Sequence, residues 1–290
     1  MSRSSLPAVA LVAILVVATL LAVAGGRSRW KRASAELWDD LRGAAASGGA
    51  EGEGAPSLAG AAERGVLPPP VARYFATVLA SGVRPVLRAT LRHRGDFALK
   101  PNEWKPFTSR QLYSTAPRGF VWDAEIAALP LVAIRVRDSY VGGEGATTAS
   151  LGGVIPIVDS RGGGALGDAS LLRYLAEAAW LPTALLPSEG VEWTAIDDST
   201  ARATLADGDH RVSMDVHFGT EGGIVRVTAH RGREVDGRIV PTPWEGRFSD
   251  EMLTVDGLRI PSSGEVAWLL PEGRFAYWRG RVTEARYEFR

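Results

Sequence analysis

Five carboxylates in strand-like sequence are the side chains of this chain best suited to chemistry. They stand where polarity alternates along the chain, and two of them directly follow a tryptophan: Asp123, Asp138, Asp159, Glu245 and Glu265. Two carboxylates that converge in one cleft can act as general acid and general base, as in a hydrolase. Most strand carboxylates instead face water or pair with arginine. A carboxylate-dependent hydrolase therefore ranks behind non-catalytic functions.

The four histidines show no spacing that would bind a metal ion. They are His93, His210, His217 and His230, and none stands in a His-x-His or His-Glu-x-x-His pattern. His93 interrupts an otherwise apolar strand face, yet we expect all four side chains at the surface. The chain also lacks a Gly-x-Ser-x-Gly motif, a phosphate-binding loop and a dinucleotide fingerprint. The sequence therefore predicts no catalytic residue set, no metal and no cofactor.

Composition excludes further classes of function. The 290 residues include 33 basic and 33 acidic side chains, so no bulk charge attracts nucleic acid. There is no cysteine, which excludes disulfides, thiolate metal sites and cysteine nucleophiles. A hydrophobic content of 46% is ample for a sizeable core.

One convincing helix, predicted over 168–181, interrupts a long run of strand-like sequence. Asp168 is a natural N-cap, and leucines at helical spacing predict a buried face. Arg173 and Glu177 lie four residues apart and suit a solvated ion pair. In the alternative, Tyr174, Glu177 and Trp180 line a cavity beneath the curved sheet. With tryptophans of the flanking strands, the predicted ligand-binding residues are Tyr174, Glu177, Trp180, Trp122, Trp244 and Trp268.

The remaining sequence predicts a mainly β domain over 63–290. Roughly a dozen short antiparallel strands alternate in polarity, and a sheet of this size must curl or close. The favoured architecture is a strongly curved sheet, or half-barrel, with the helix packed on its concave side. Two hairpins are assigned a register. One pairs Val191 with Leu205, and the other pairs Val216 with Val225 and Asp215 with Arg226.

An apolar run at the N-terminus predicts membrane attachment. Residues 6–24 contain no charge and, as a helix, would cover about 28 Å, close to the hydrocarbon thickness of a bilayer. We assign residues 1–29 to a transmembrane anchor or a signal peptide, and the length of the apolar run favours the anchor. Residues 30–62 follow as a juxtamembrane helix and a flexible linker.

The sequence does not decide which side of the membrane holds the domain. Basic residues after the apolar run favour the cytoplasmic side, because positive charge is retained there. The signal-like start favours the extracytoplasmic side, towards which the prediction leans. The helical stripe that includes Trp30, Ser34, Trp38 and Leu41 is expected either at the headgroup level or as a frayed extension of the anchor.

Several motifs in order resemble an uncharacterised bacterial family of membrane-associated proteins that carry a domain of unknown function. They include LLRYLAEAAWLPTALLP at 171–187 and PTPWEGRF at 241–248, and the resemblance covers about residues 66–288. It implies no activity. The expected architecture is also similar to the curved-sheet carriers of lipoproteins or lipids in the bacterial envelope, a likeness of fold that is weak evidence of function.

Two non-catalytic functions lead. The first is a membrane-tethered domain that binds an apolar or lipid-like ligand in the concave face of its sheet. The second is an interaction or structural module of the envelope with a filled interior, which a pocket below roughly 300 Å³ would favour. The ligand and the oligomeric state are left open.

Overall fold

A computed structural model of the chain describes residues 5–43, 67–129 and 132–290, to which the following description refers. Most of the predicted linker lies in residues 44–66, outside the described residues. The helices are α1 (Ser5–Gly43), α2 (Pro69–Val78) and α3 (Gly164–Glu177). Strands β1 to β6 are Val86–Ala98, Trp104–Thr115, Arg118–Leu129, Val132–Val141, Glu144–Leu151 and Ile155–Gly162.

The second half of the chain is built of nine further strands. Strands β7 to β15 are Val191–Ala195, Thr200–Asp207, His210–Phe218, Ile224–Val235, Arg238–Phe248, Met252–Val255, Leu258–Pro261, Ser263–Leu270 and Gly273–Phe289. Thirteen strands form one antiparallel sheet in the order β6-β5-β4-β3-β2-β1-β15-β14-β11-β10-β9-β8-β7, while β12 and β13 pair separately. The mainly β, half-barrel prediction is confirmed.

Alternating polarity explains why these segments are strands. In β9 every second residue is buried, from His210 through Val212 and Met214 to Phe218, while Arg211 and Ser213 face outwards. A strand with one buried and one solvated face belongs to an antiparallel sheet covered on a single side. The buried faces together line the concave interior.

Helix α3 covers that interior. It packs against β4 and β5 in one half of the sheet and against β9, β10 and β11 in the other, so it bridges both halves. It begins at Gly164, not at Asp168, and Gly163 is the N-cap without a side-chain bond. The predicted capping role of Asp168 is wrong, because its carboxylate hydrogen-bonds to His210 instead, at 2.7 Å.

The α-helix also ends earlier than predicted, at Glu177. Three 3₁₀ turns follow, Ala178–Trp180, Pro182–Leu185 and Pro187–Glu189, and the last two each begin at a proline. Proline has no N–H for an α-helical bond, so each one starts a new turn. Leu181 and Leu185 are fully buried, and Thr183 accepts a hydrogen bond from the Val86 amide at 3.0 Å. This tail extends the plug of the half-barrel beyond α3.

One predicted hairpin register is confirmed and the other is wrong. Val191 pairs with Leu205, as expected. In the second hairpin Val216 pairs with Val227, and Asp215 pairs with Thr228, since a bulge between Ile224 and Arg226 adds a residue to β10. The bulge lets β10 bury both Ile224 and Val227 against β9, which a regular ladder could not do.

The C-terminal part of α1 packs on the convex face of the sheet. The Trp30 indole donates to Asp123 at 2.8 Å, and Arg137 donates to Ser34 Oγ at 2.9 Å. The guanidinium of Arg110 stacks over the Trp38 ring at 3.9 Å. The helical stripe therefore meets β2, β3 and β4. It extends the N-terminal helix, as one expectation had it, but it is packed on the sheet and not frayed.

The length and the apolarity of a helix together decide whether it could cross a membrane. Within residues 5–43, 67–129 and 132–290, none of the helices combines the length and the apolarity that crossing a bilayer requires.

Close packing of α3 on β5 makes a prediction about Gly145. A Cβ added there would lie 2.5 Å from the Leu166 carbonyl oxygen and would also overlap the Ser170 hydroxyl. We expect Gly145→Ala to lower the free energy of unfolding by roughly 1–3 kcal/mol, as overpacking does. Urea unfolding measures it. The matched control is Gly223→Ala, whose Cβ would meet only the Met252 sulfur at 4.0 Å. Equal effects of both substitutions would contradict the close packing of α3 against β5.

Candidate functional site

A cavity of about 110 Å³ remains between the end of α3 and the concave face of the sheet. Its walls are mainly aromatic. They come from β1, β3, β11, β15 and the 3₁₀ tail, as Phe97, Trp122, Trp180, Trp244, Phe248, Tyr277 and Trp278. The sheet curves around α3, so residues far apart in sequence meet in one place.

Acidic and basic side chains contribute to the lining in equal numbers. Three acidic and three basic residues contribute: Asp138, Glu177 and Glu265, and Arg173, Arg231 and Arg247. Arg173 is the centre of the largest group, with its Nε 2.8 Å from Glu177 and its Nη1 2.5 Å from Asp138. Its guanidinium also lies 5.0 Å from the ring centres of Phe120 and Trp122.

Glu177 is held as an anion by three donors. Gln111 Nε2 donates at 2.8 Å, the Tyr113 hydroxyl donates, and so does Arg173. Burial alone would raise the pKa of Glu177, but the charge of Arg173 and these hydrogen bonds outweigh it and lower the pKa. Burial and the neighbouring carboxylate raise the pKa of Tyr113. The Arg173–Glu177 pair is thus largely buried, and the interpretation as a solvated surface pair is wrong.

Four of the six predicted ligand-binding residues line the cavity, namely Glu177, Trp180, Trp122 and Trp244. Trp268 stacks behind a cavity residue, with its ring centre 5.7 Å from that of Tyr277 at an angle of 19°. Tyr174 lies elsewhere in the core, with its ring centre 6.3 Å from that of Tyr113. Tyr174 and Glu177 both contact Tyr113, but only Glu177 reaches the cavity.

Two histidines are buried, so their predicted surface location is wrong. His93 packs its ring 5.0 Å from Trp180 and 5.7 Å from Trp278, and both ring nitrogens lack a partner among the described residues. Burial lowers the pKa of His93 to about 4. Its place on an apolar strand face was the signal of this burial.

His210 lies between two acceptors. Its Nδ1 is 2.7 Å from Asp168 Oδ1, and its Nε2 is 2.8 Å from the Gly143 carbonyl. Two acceptors require two donors, which only the protonated ring provides. The hydrogen bond with Asp168 accordingly raises the pKa of His210. The residue links α3 to two separate loops and does not face the cavity.

The strand carboxylates do not form an acid–base pair. Asp123 lies on the convex face and accepts from Trp30, and exposed Asp159 pairs with Arg161. Glu245 and Glu265 share Arg274, at 2.5 and 2.6 Å. Although burial would raise the pKa of Glu245, hydrogen bonds and charge from its arginines lower it.

Asp138 and Glu177 do converge in the cavity, but only through Arg173. Because Glu177 is kept ionised, it is a poor proton donor, and the pair does not suit general acid catalysis. In the described ranges no cluster of three His, Asp or Glu side chains is placed to hold a metal ion. Asp138 Oδ1 is buried and has no hydrogen-bond partner there.

Comparison with known proteins shows a family and a remote structural likeness. A model of a family of unknown function, DUF6920, matches residues 65–287. No curated protein matches the chain. The crystal structure of a beta-barrel-like protein of domain of unknown function DUF1849 from Brucella abortus aligns with 71% of this chain and 99% of that chain. The two are 12% identical, with a TM-score of 0.21.

Removing the charge of Glu177 should destabilise the fold. In Glu177→Gln the buried guanidinium of Arg173 keeps only Asp138 as an ionic partner, so we expect a loss of about 3 kcal/mol in the free energy of unfolding. Urea unfolding of the full chain measures it.

The matched control is Glu192→Gln. Glu192 also contacts its arginine, Arg211, at 2.8 Å, but both side chains are more than half exposed. The control should change stability by less than about 1 kcal/mol. Similar losses in both variants would show that the buried cluster has no special role.

Burial of His93 should make the fold acid-sensitive. The folded-state pKa of about 4 lies below the unfolded value of about 6.5, so between these pH values the unfolded state binds the additional proton. Stability from this residue is present above pH 6.5 and falls as pH drops towards 4, by up to about 3 kcal/mol. Urea unfolding at several pH values should show a shallower slope in His93→Phe than in the wild type. An unchanged slope would contradict the buried neutral ring.

Proposed function

The chain belongs to the DUF6920 family of unknown function, and we propose that it is a membrane-tethered protein whose half-barrel binds an apolar or lipid-like ligand at its concave face. The observation that carries this proposal is the aromatic cavity beside α3. Ligand sites in proteins are typically concave and mostly apolar, with a few placed polar groups.

The chemistry of the cavity favours an uncharged ligand. Its three acidic and three basic side chains balance, and they already pair with other protein groups in part, as around Arg173. A charged ligand would therefore gain no net attraction. Asp138 Oδ1 can accept a hydrogen bond from a hydroxyl or amide of the ligand. An amphiphile with one such polar group beside an apolar portion fits these features.

The volume limits how much of the ligand enters. At about 110 Å³ the cavity is smaller than the roughly 300 Å³ of ordinary ligand pockets. It approaches the cavity of about 150 Å³ that admits benzene in an engineered protein. The inserted part is therefore a single ring or a short alkyl end, and an acyl chain requires α3 or its tail to move.

The membrane tether rests on the apolar run of residues 6–24. In α1 the large apolar side chains Leu11, Ile14, Val17, Leu20 and Leu21 are all more than half exposed. Exposed apolar surface of this extent is costly in water and favourable in hydrocarbon. We propose that this segment is a single-pass anchor, and the signal-like start leads us to place the domain on the extracytoplasmic side.

An interaction or structural module of the envelope is the second candidate. The small volume of the cavity and the plug formed by α3 and its tail favour it. In that case the aromatic side chains are core, and no ligand accompanies the protein.

Filling the cavity distinguishes the two candidates. Ala176 lines the cavity, and Ala176→Leu adds three carbon atoms to it. We expect benzene, as a single-ring probe, to raise the melting temperature of the full wild-type chain saturably, and to have no effect on Ala176→Leu, because a ligand stabilises only the state it binds. Ala206→Leu, at an exposed strand position, should behave like the wild type.

Lipid mass spectrometry after organic extraction extends the same comparison. A lipid recovered from the wild type and from Ala206→Leu but not from Ala176→Leu would support the proposal. If benzene has no effect and no lipid is recovered specifically from the proteins with an unfilled cavity, ligand binding is contradicted and the structural module is favoured.

A further inference from the structure

The exposed large apolar side chains of the folded domain gather at one end of the half-barrel. Among the described residues from 67 onwards there are seven such side chains, and five lie at or near the connections of one end. We call these five the apolar rim: Leu99, Val154, Ile155, Ile157 and Leu269. Of the other two, Ile196 lies in the β7–β8 connection at the opposite end, and Val240 lies beside the β10–β11 connection, where Glu234 meets Ser160 near the C-terminal end of β6.

The topology places these residues together. In an antiparallel sheet every second connection lies at the same end. The connections β1–β2, β5–β6 and β14–β15 share one end, since strands β5 to β1, β15 and β14 are consecutive neighbours in the sheet and Phe97 lies opposite Trp278. Every member of the apolar rim lies in one of these connections or within three residues of a strand end that adjoins one.

Helix α1 crosses the convex face from this rim towards the opposite end. Gly26 contacts the β5–β6 turn so closely that a Cβ there would lie 2.6 Å from the Gly153 carbonyl oxygen. Further along α1, Trp30 meets Asp123, and the Arg42 carbonyl finally accepts from Arg88 in β1. Because α1 is one continuous helix, residues 5–25 extend beyond the apolar rim, by about 30 Å at 1.5 Å per residue.

The segment that extends beyond the rim is the proposed anchor. Its last apolar residue, Ala24, lies two residues before Gly26, which contacts the β5–β6 turn. The exposed side chains of Arg27 and Arg29 follow at the depth where basic residues meet lipid headgroups. The apolar rim thus continues the apolar surface of the anchor at the level of the bilayer surface.

We infer that the apolar rim is a second membrane contact, which seats the half-barrel directly on the bilayer and inserts Val154, Ile155 and Ile157 among the lipids. This inference rests on the anchor in the proposed function. Single exposed apolar residues need no explanation, but a group at one end, continuous with an apolar helix, marks an interaction surface. The contact also brings the ligand cavity near the lipids, since Phe97 lines the cavity two residues before Leu99.

Fluorescence quenching by lipid tests the inference on the full chain. The chain has no cysteine, so single-cysteine variants need no other change. Ile14→Cys, Ile155→Cys, Leu269→Cys and Ile196→Cys are each labelled with an environment-sensitive fluorophore. Each protein is reconstituted in vesicles of phosphatidylethanolamine and phosphatidylglycerol, with and without brominated acyl chains. All four positions are exposed, so the substitutions should leave the thermal unfolding of the chain unchanged.

We expect brominated lipid to remove most of the fluorescence at positions 14 and 155, part of it at 269, and none at 196. Quenching at 14 with none at 155 and 269 would overturn the rim contact and leave the anchor in place, and the rim would then face water or a protein partner. Absence of quenching at 14 would refute the anchor itself and the rim contact with it. Equal quenching at 155 and 196 would also refute the inference, because the two ends would then be equivalent.

Discussion

The concave face of a thirteen-stranded sheet must be shielded from water, and one helix with its proline-broken tail provides most of that shield. Helix α3 contacts both halves of the half-barrel. Close packing on both sides requires small residues or specific hydrogen bonds where the helix meets the sheet. Gly145 lets the helix approach β5, and His210 ties it to β9 through Asp168. Without this cover the aromatic residues of the concave face would be exposed to water, and the curved sheet would have no core to pack against.

Charge inside this interior is tolerated because every member of the cluster around Arg173 has a partner. Breaking a buried ion pair is far more costly than the pair itself is stabilising, so Glu177, Asp138, Gln111 and Tyr113 act as one unit. The same cluster closes one side of the aromatic cavity. The three acidic and three basic side chains of the whole lining balance, which leaves the cavity suited to an apolar group. His93, which packs against the cavity residues Trp180 and Trp278, is kept neutral by burial.

The local sequence pattern predicted which segments are strands and helices better than it predicted how the strands pair. Alternating polarity identified the antiparallel sheet, and the first hairpin followed because its ladder is regular. The second hairpin contains a bulge, whose benefit, the burial of Ile224 and Val227 together, depends on tertiary packing. For the site, helical spacing identified Glu177 and Trp180, and tryptophans on strands added Trp122 and Trp244.

The contacts that sequence reasoning missed all join distant segments. Nothing near Asp168 in the chain indicates that His210 will compete for its carboxylate, and nothing near Trp30 indicates Asp123. The stripe on α1 was visible, but an amphipathic face suits a bilayer surface and a protein surface equally well. Only the position of Arg110 and Arg137 on the convex face decides between them.

The unbroken course of α1 also sets an angle of rotation. Each residue of an α-helix turns the chain by about 100°. The docked half of α1 therefore fixes how the other half is rotated about the helix axis. A partner that packs against one face of residues 5–25 is therefore held at one fixed angle around the helix axis, its azimuth, relative to the half-barrel. Inserting or deleting one residue before Gly26 would turn that azimuth by more than a quarter of a circle while leaving the domain itself intact.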